Sequence, residues 1–261
     1  MKITADMHTH TSFSYDAEHG SSPYDTAMAA YEKGLYAIAL TDHLDVNSEV
    51  EGIFAPFDFE NRKRECLQAK EKCKGKINVI CGIELGQVTQ YPALAKKYLK
   101  ENGFEFVLGS LHNVKDVTDF ALIDYKGFSE YDYISLWERY LSELYGVAVF
   151  DGIDCLAHLT YPLRYYYLSG FRLDLRRYEA QIAKILNAVI SNGLCLEVNS
   201  SGFRQGVGFP FPDNYVLELY YQLGGRKLTA GSDSHTSRDI SADFDTLSEY
   251  IKGDFSEFIP S

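Results

Sequence analysis

Residues 2–10 read KITADMHTH, a short apolar run with two histidines directly after it. Apolar, β-branched runs of this length, here residues 2–7, are typical of buried strands. Six further runs have the same character: YAIAL (36–40), INVICGIEL (77–85), FEFVLGSL (104–111), DCLAHL (154–159), LCLEVN (194–199) and KLTAGS (227–232). The chain therefore contains seven predicted strands.

Longer segments with helical spacing and capping residues separate these runs. The clearest are Ser22-Pro23 through Ala30, Asp58 to Lys74, Glu130 to Leu144, and Asp174 to Ser191 before Gly193. The segment from Val114 to Tyr133, rich in Asp and aromatics, is the longest irregular stretch. Alternating strands and helices predict an α/β fold with a parallel sheet, and seven such units suit a closed or nearly closed barrel. An open doubly wound sheet is the alternative.

Length and composition limit the class of protein. The 261 residues, 46% hydrophobic and 24% charged, are typical of a globular chain and exclude a disordered, collagen-like or coiled-coil one. We find no Pro- or Ser-rich linker, so we expect one domain over residues 1–261.

The net charge of −12 disfavours nucleic acid and anionic membranes as partners. Five cysteines without a CxxC pair, no signal-like start and no long apolar run favour a cytoplasmic location.

Six of the seven histidines lie at or just past the end of a predicted strand. The carboxyl ends of parallel barrel strands meet at one face, so these side chains should converge there. The candidate metal ligands are His8, His10, Asp16, His43, Glu84, His112, His158, Asp233 and His235. Imidazoles and carboxylates without cysteine suit Zn²⁺, Mn²⁺, Fe²⁺ or Co²⁺. Nine groups exceed the needs of one ion, which predicts two or three ions that share a bridging carboxylate.

Structural roles are the alternative for each of these residues. A single histidine at a strand end is more often a hydrogen-bonding residue than a ligand. The i, i+2 pairs His8 with His10 and Asp233 with His235 favour the ligand interpretation, because each pair lies on one face of an extended segment. Asp16 could instead cap the following helix. His19 has no strand beside it and is predicted to be a bystander.

Four motifs, HTHTSFSYDA (8–17), TDH (41–43), SLH (110–112) and GSDSH (231–235), resemble the signature blocks of the PHP (polymerase and histidinol phosphatase) superfamily. They occur in the family's order, with GIELG and AHLTYPLRY between them, and the chain is most similar to the stand-alone histidinol-phosphatase group. The resemblance implies a distorted, TIM-like (β/α)7 barrel. It also implies three sets of metal ligands, with Glu84 as the bridge: His8, His10, Glu84 and Asp233; Asp16, His43 and His235; Glu84, His112 and His158.

The implied reaction is metal-dependent hydrolysis of L-histidinol phosphate to L-histidinol and phosphate, a step of histidine biosynthesis. Divalent ions lower the pKa of bound water, so a bridging hydroxide could attack phosphorus without a side-chain nucleophile. Asp16 or His235 could give the leaving group its proton. Asp42, beside His43, could orient an imidazole or serve as a buried cap.

Substrate recognition should come from loops around the mouth of the barrel. Arg164 and Arg204 follow the fifth and sixth predicted strands, where a guanidinium could bind phosphate oxygens or pair with a neighbouring acid. Another small phosphate ester, such as a nucleotide or sugar phosphate, is the main alternative substrate. A nuclease or DNA-end phosphatase should have a basic track, which the sequence lacks. A non-catalytic metal-binding module should have lost ligands, and all are present. The sequence leaves the oligomeric state open.

Overall fold

The computed structural model describes residues 2–17, 20–251 and 256–260, so the predicted bystander His19 lies outside the described residues. The strands within these ranges are β1 (Ala5–Thr9), β2 (Ala37–Leu40), β3 (His43–Asp45), β4 (Asn78–Gly86), β5 (Phe106–Ser110), β6 (Cys155–Leu156), β7 (Cys195–Asn199), β8 (Lys227–Gly231) and β9 (Ser256–Glu257). All seven predicted strands are present. Two more, β3 and β9, were not predicted.

Helices occupy the segments between strands. They are α1 (Pro23–Glu32), α2 (Val46–Glu51), α3 (Phe59–Lys72), α4 (Pro92–Asn102), α5 (Glu130–Ala148), α6 (Leu163–Leu168), α7 (Glu179–Ser191), α8 (Ser201–Arg204), α9 (Asn214–Gln222) and α10 (Phe244–Tyr250). The local sequence explains several starts. Ser22 accepts a hydrogen bond from the backbone of Asp25 at the start of α1, and Ser129 and Asp132 form a reciprocal cap on α5. The four predicted helices are present, although the last begins as a 3-10 turn, Leu175–Tyr178.

The strands pair in parallel, in the order β1-β2-β4-β5-β6-β7-β8-β9. The long strand β4 pairs first with β2 and then with β3, which continues the line of β2 after a break at Thr41 and Asp42. The register of β3 places His43 opposite Glu84. The segment after the break therefore places the candidate ligand His43 next to Glu84, near the carboxyl end of β4.

The first and last barrel strands meet at both ends. At the carboxyl end, the backbone N–H of Asp233 donates to His8 O and that of His10 donates to Ser234 O, both at 2.8 Å. At the amino end, β9 pairs with β8, and Glu257 Oε1 accepts from the backbone of Thr4 at 2.9 Å. These contacts support the predicted distorted seven-unit barrel over an open doubly wound sheet. All carboxyl ends of the strands consequently face one mouth.

Two apolar layers hold the barrel. Large side chains on one face of the strands, including Ile83 and Leu196, pack against α5, α7 and α9. On the other face a cluster of mostly small side chains, including Ala39 and Cys195, packs around Phe106. Because side chains alternate along a strand, Glu197 lies on the same face as Cys195. A carboxylate buried on this face needs hydrogen-bond partners. Those of Glu197 are His8 and the backbone N–H of His158.

No helix among residues 2–17, 20–251 and 256–260 is both long and apolar enough to cross a membrane. The five cysteines are free thiols.

Candidate metal centre

The nine predicted ligands come together at the carboxyl-end mouth of the barrel. One position differs from the prediction. His8 lies inside β1, which extends to Thr9 because Thr9 pairs with Leu40. Glu84 lies inside β4, opposite His43 of β3. The other candidates follow the ends of their strands or, like His43, begin one. Except for Asp16 and His235, their side chains are at most 8% exposed.

Glu84 lies at the centre of the cluster. Its Oε2 is 2.7 Å from His43 Nδ1, 3.3 Å from His8 Nε2 and 3.7 Å from His10 Nε2. Its Oε1 is 3.0 Å from His112 Nε2 and 2.9 Å from His158 Nε2. One buried carboxylate therefore contacts five rings from four different segments, which is the position a bridging ligand needs.

Asp233 and Asp16 complete the cluster toward solvent. Asp233 Oδ1 lies 3.2 Å from His10 Nε2. Asp16 Oδ2 lies 3.1 Å from His235 Nε2 and 3.5 Å from His43 Nε2. The side chains of Asp16 and His235 are 44% and 28% exposed, the largest values among the candidates. These two residues form the open edge of the centre.

Among the residues that the structure describes, four overlapping groups could hold a metal ion: His8, His10 and Asp233; His8, Glu84 and His158; His10, His43 and His235; and His43, Asp45 and His112. Several ligand atoms of these groups are buried and lack hydrogen-bond geometry: His8 Nε2, His10 Nε2, His43 Nδ1, Glu84 Oε2 and His235 Nε2. Orphaned buried polar atoms are costly unless something binds them. The donor set thus fits divalent cations.

Burial and charge act against each other in this centre. Burial opposes the imidazolium form of His8, yet Glu197 and Glu84 raise its pKa well above the usual range. Burial also opposes the ionised form of Glu84, but His43 and His8 hold its pKa well below the usual range. Burial and the nearby His235 lower the pKa of His10 to about 3. His10 is therefore a neutral imidazole at neutral pH, and one of its two ring nitrogens has a lone pair free to bind a metal.

Two acidic residues that sequence reasoning missed contact the cluster. Asp45 Oδ1 lies 3.1 Å from His112 Nδ1, and Glu197 Oε1 lies 2.7 Å from His8 Nδ1. For each of them the sequence contains a feature that could have identified it as a site residue. Asp45 follows His43 at i+2, the same spacing as in the two recognised pairs, and Glu197 interrupts an apolar strand with a charge.

Asp42 lies behind the cluster and not in it. Its Oδ1 accepts from the backbone N–H of Thr11 at 2.6 Å and from Ser14 Oγ at 3.2 Å, and its Oδ2 pairs with Arg62 Nε at 3.0 Å. Ser14 Oγ in turn contacts His10 Nδ1 at 2.9 Å. Asp42 thus caps a loop and also supports His10 through Ser14. Its contacts are those of a residue that positions a candidate ligand.

Both predicted arginines lie beside Asp233. Arg164 Nη2 donates to Ser201 Oγ at 2.8 Å and lies 3.5 Å from Asp233 Oδ2, while its Nε is buried without a partner. Arg204 Nη2 donates to the backbone oxygen of Asp233 at 2.8 Å, and its buried Nη1 also lacks a partner. Each guanidinium thus keeps an unused donor.

A cavity of about 530 Å³ opens over the cluster and includes Arg164 in its wall. Tyr15 stacks on Phe54, with ring centroids 3.7 Å apart, and both line the cavity. The predicted irregular segment supplies Asp119 and Leu122 to the same wall. A cavity of this size, with aromatic walls and convergent polar groups, suits a small ligand.

The fold and the site together define a class: a parallel α/β barrel whose mouth can hold divalent metal ions. Comparison with protein families is more specific. The model of the PHP domain matches residues 6–201, so the chain belongs to the PHP domain family.

Named relatives and a solved structure agree with this membership. The chain is 26% identical over 242 residues to a probable histidinol-phosphatase of Clostridium acetobutylicum, covering 92% of this chain and 89% of that protein. It is 28% identical over 255 residues to a probable histidinol-phosphatase of Thermotoga maritima, covering 95% and 91%. The crystal structure of histidinol phosphate phosphatase from Lactococcus lactis, complexed with zinc, L-histidinol and phosphate, matches with a TM-score of 0.79 at 23% identity, covering 98% of this chain and 96% of that one. The fold is therefore shared over nearly the whole length.

Proposed function

We propose that the protein is a metal-dependent phosphomonoesterase that hydrolyses L-histidinol phosphate to L-histidinol and phosphate. The observation that carries this proposal is the meeting of nine candidate ligands at one mouth of the barrel, under a cavity that six of them line together with Arg164. Arg204 contacts one of these six, Asp233, through its backbone oxygen. The family membership and the histidinol-phosphatase relatives, matched over about nine tenths of their lengths, support the substrate. The solved relative with zinc, L-histidinol and phosphate supports it further.

The nine candidate ligands would hold two or three divalent ions, Zn²⁺, Mn²⁺, Fe²⁺ or Co²⁺. Such ions supply Lewis acidity and lower the pKa of a bound water from about 15.7 toward 7. Glu84 presents each oxygen to a different set of rings and would serve as the shared ligand. Asp45, which contacts His112, joins the set as a tenth candidate.

Arg164 and Arg204 would bind the phosphate group. Both guanidinium groups contact Asp233 through Nη2, and each keeps a buried donor, Nε of Arg164 and Nη1 of Arg204, that a phosphate oxygen would satisfy. Charge-assisted hydrogen bonds of this kind are about twice as strong as neutral ones. The contact of Arg164 with Asp233 holds the guanidinium at the edge of the metal centre. Arg164 would therefore both pair with a neighbouring acid and bind the phosphate group, the two roles that the sequence left as alternatives.

Asp16 or His235 would donate a proton to the leaving group. They contact each other at 3.1 Å and are the most exposed members of the cluster. Both also line the cavity. Tyr15 and Phe54, which stack on each other, give the cavity an aromatic wall against which a flat ring such as imidazole would lie.

The proposed setting is the cytoplasm, since free thiols are typical of reducing compartments. The acidic balance of −12 disfavours a polynucleotide substrate.

A turnover comparison tests the function. Metal-depleted protein is reconstituted separately with Mn²⁺, Zn²⁺ and Fe²⁺ and assayed with L-histidinol phosphate, nucleotide and sugar monophosphates, and a phosphodiester. We expect the highest kcat/KM for L-histidinol phosphate and no activity without metal. A higher kcat/KM for another monoester would overturn the substrate, and preference for the phosphodiester would overturn the reaction class.

A further inference from the structure

Strand β7 contributes none of the nine predicted ligands, yet it carries a fully buried acidic side chain beside them. Glu197 is 0% exposed and lies on the barrel-facing side of the strand. Its carboxylate contacts two candidate ligands from different strands. Such a charge is retained inside a barrel only when its oxygens are well bound, so its contacts indicate what it does.

Each carboxylate oxygen of Glu197 faces a nitrogen. Oε1 lies 2.7 Å from His8 Nδ1 and accepts from Asn199 Nδ2 at 3.2 Å. Oε2 accepts from the backbone N–H of His158 at 2.6 Å. Because an ionised carboxylate only accepts hydrogen bonds, the short contact requires a proton on His8 Nδ1.

The other ring nitrogen of His8 points into the cluster. Nε2 lies 3.3 Å from Glu84 Oε2 and 3.7 Å from Asp233 Oδ1, and it is buried without a hydrogen-bond partner. A proton kept on Nδ1 leaves the Nε2 lone pair free for a metal ion. We propose that Glu197 is a positioning residue that fixes this tautomer of His8, an inference that rests on the metal-dependent function proposed above.

The neighbouring strand leaves room for this contact. Asn199 of β7 pairs with Gly231 of β8. A Cβ added at Gly231 would overlap Glu197 Oε1 and lie 2.6 Å from Cβ of His8. Glycine is therefore the residue that allows Glu197 and His8 to meet, an observation independent of the hydrogen bonds.

Glutamine at this position distinguishes the proposed role from simple packing. Glu197→Gln keeps the size of the side chain but offers one acceptor and one donor, whereas His8 Nδ1–H and the backbone N–H of His158 both donate. If the amide oxygen faces His158, the amide nitrogen donates to His8 Nδ1 and moves the ring proton to Nε2. If the oxygen faces His8, the hydrogen bond to His158 is lost. No orientation satisfies both partners.

The experiment measures Zn²⁺ affinity by chelator competition in wild type, Glu197→Gln and a matched control, Glu257→Gln. The Glu257 carboxylate also accepts from two backbone N–H groups, those of Thr4 and Ala5, but at the opposite end of the barrel. Loss of a partner that orients a metal-binding histidine typically costs 10–100-fold in affinity. We expect a loss of about 10–100-fold in Glu197→Gln and wild-type affinity in Glu257→Gln.

A second measurement does not depend on how the variant folds. In ¹⁵N-histidine-labelled, Zn²⁺-loaded wild type, the His8 resonance should show a protonated Nδ1 and a metal-bound Nε2. Wild-type affinity in a folded Glu197→Gln protein, or a His8 ring protonated at Nε2, would overturn the proposal. Neither readout involves substrate. Wild type that binds Zn²⁺ with the expected tautomer but hydrolyses no phosphate ester would overturn the proposed function and leave the role of Glu197 supported.

Discussion

Replacing Arg62 with methionine should destabilise the fold by about 3–5 kcal/mol, because it leaves the buried Asp42 carboxylate without its cation. Arg62 and Asp42 side chains are 3% and 0% exposed and pair at 3.0 Å. Arg62 Nη2 also donates to the backbone oxygen of Leu40 at 2.6 Å. At about 2–4 °C per kcal/mol for a chain of this size, the melting temperature should fall by roughly 6–20 °C.

The loss should depend on pH. Burial favours the neutral form of Asp42, but Arg62 and the backbone N–H of Thr11 hold its pKa below the usual value. A depressed pKa stabilises the native state above the unfolded-state pKa of about 3.9, and this contribution disappears as the pH falls. Without Arg62, burial should raise the pKa of Asp42 instead. The stability difference between wild type and Arg62→Met should therefore be largest near neutral pH and shrink toward pH 4.

Urea unfolding of the metal-free proteins is the assay. Arg64→Met is the matched control. The Arg64 side chain is 57% exposed and pairs with Glu65 at 3.7 Å, and pairs near the surface contribute about 0–1 kcal/mol. The double variant Arg62→Met/Asp42→Asn should recover part of the loss, since it removes the unpaired charge. An Arg62→Met protein as stable as Arg64→Met, or a double variant less stable than Arg62→Met alone, would refute this reasoning.

Three other changes address the site directly. Glu84→Ala should abolish phosphatase activity and lower bound metal measured by elemental analysis, because it removes the carboxylate that five rings contact; full activity at wild-type metal content would contradict this. Arg204→Ala should raise KM for phosphate esters about tenfold or more with little change in melting temperature, and an unchanged KM would assign Arg204 to packing. Zn²⁺ binding should release protons and strengthen as the pH rises. The reason is the pKa of His112 in the metal-free protein: burial lowers this pKa, but Glu84 and Asp45 raise it to about 10. Calorimetry in buffers of different ionisation enthalpy checks this, and binding without proton release would argue against it.

Much of the fold was accessible from the sequence because its strands are apolar and buried on both faces. The two unpredicted strands have physical reasons. β3 exists because β4 is longer than β2 and offers free backbone groups opposite His43 to Asp45. β9 is only two residues long, too short for any periodic signal. β6 likewise shrinks to Cys155–Leu156, although the predicted run covered residues 154–159.

The candidate site was predictable where ligand-type residues follow strands, as at His112 and His158. Residues that act through others were harder to find. Glu197 sits within a strand, and only the tertiary contact with His8 reveals its partner. The environment of Asp42 depends on Arg62, which lies on a helix twenty residues away in sequence. Contacts of this kind are set by packing between elements, which local patterns do not encode.

The central claim is that imidazoles and carboxylates from distant strands gather at one mouth to bind divalent ions. Anomalous X-ray diffraction from crystals of the Zn²⁺-reconstituted protein tests it most directly. We predict two or three zinc peaks at the carboxyl ends of the strands, each about 2.0–2.2 Å from nitrogen or oxygen atoms of the cluster that includes His8, Glu84 and His158. Zinc peaks confined to other surfaces, with this cluster metal-free in an active enzyme, would contradict the account.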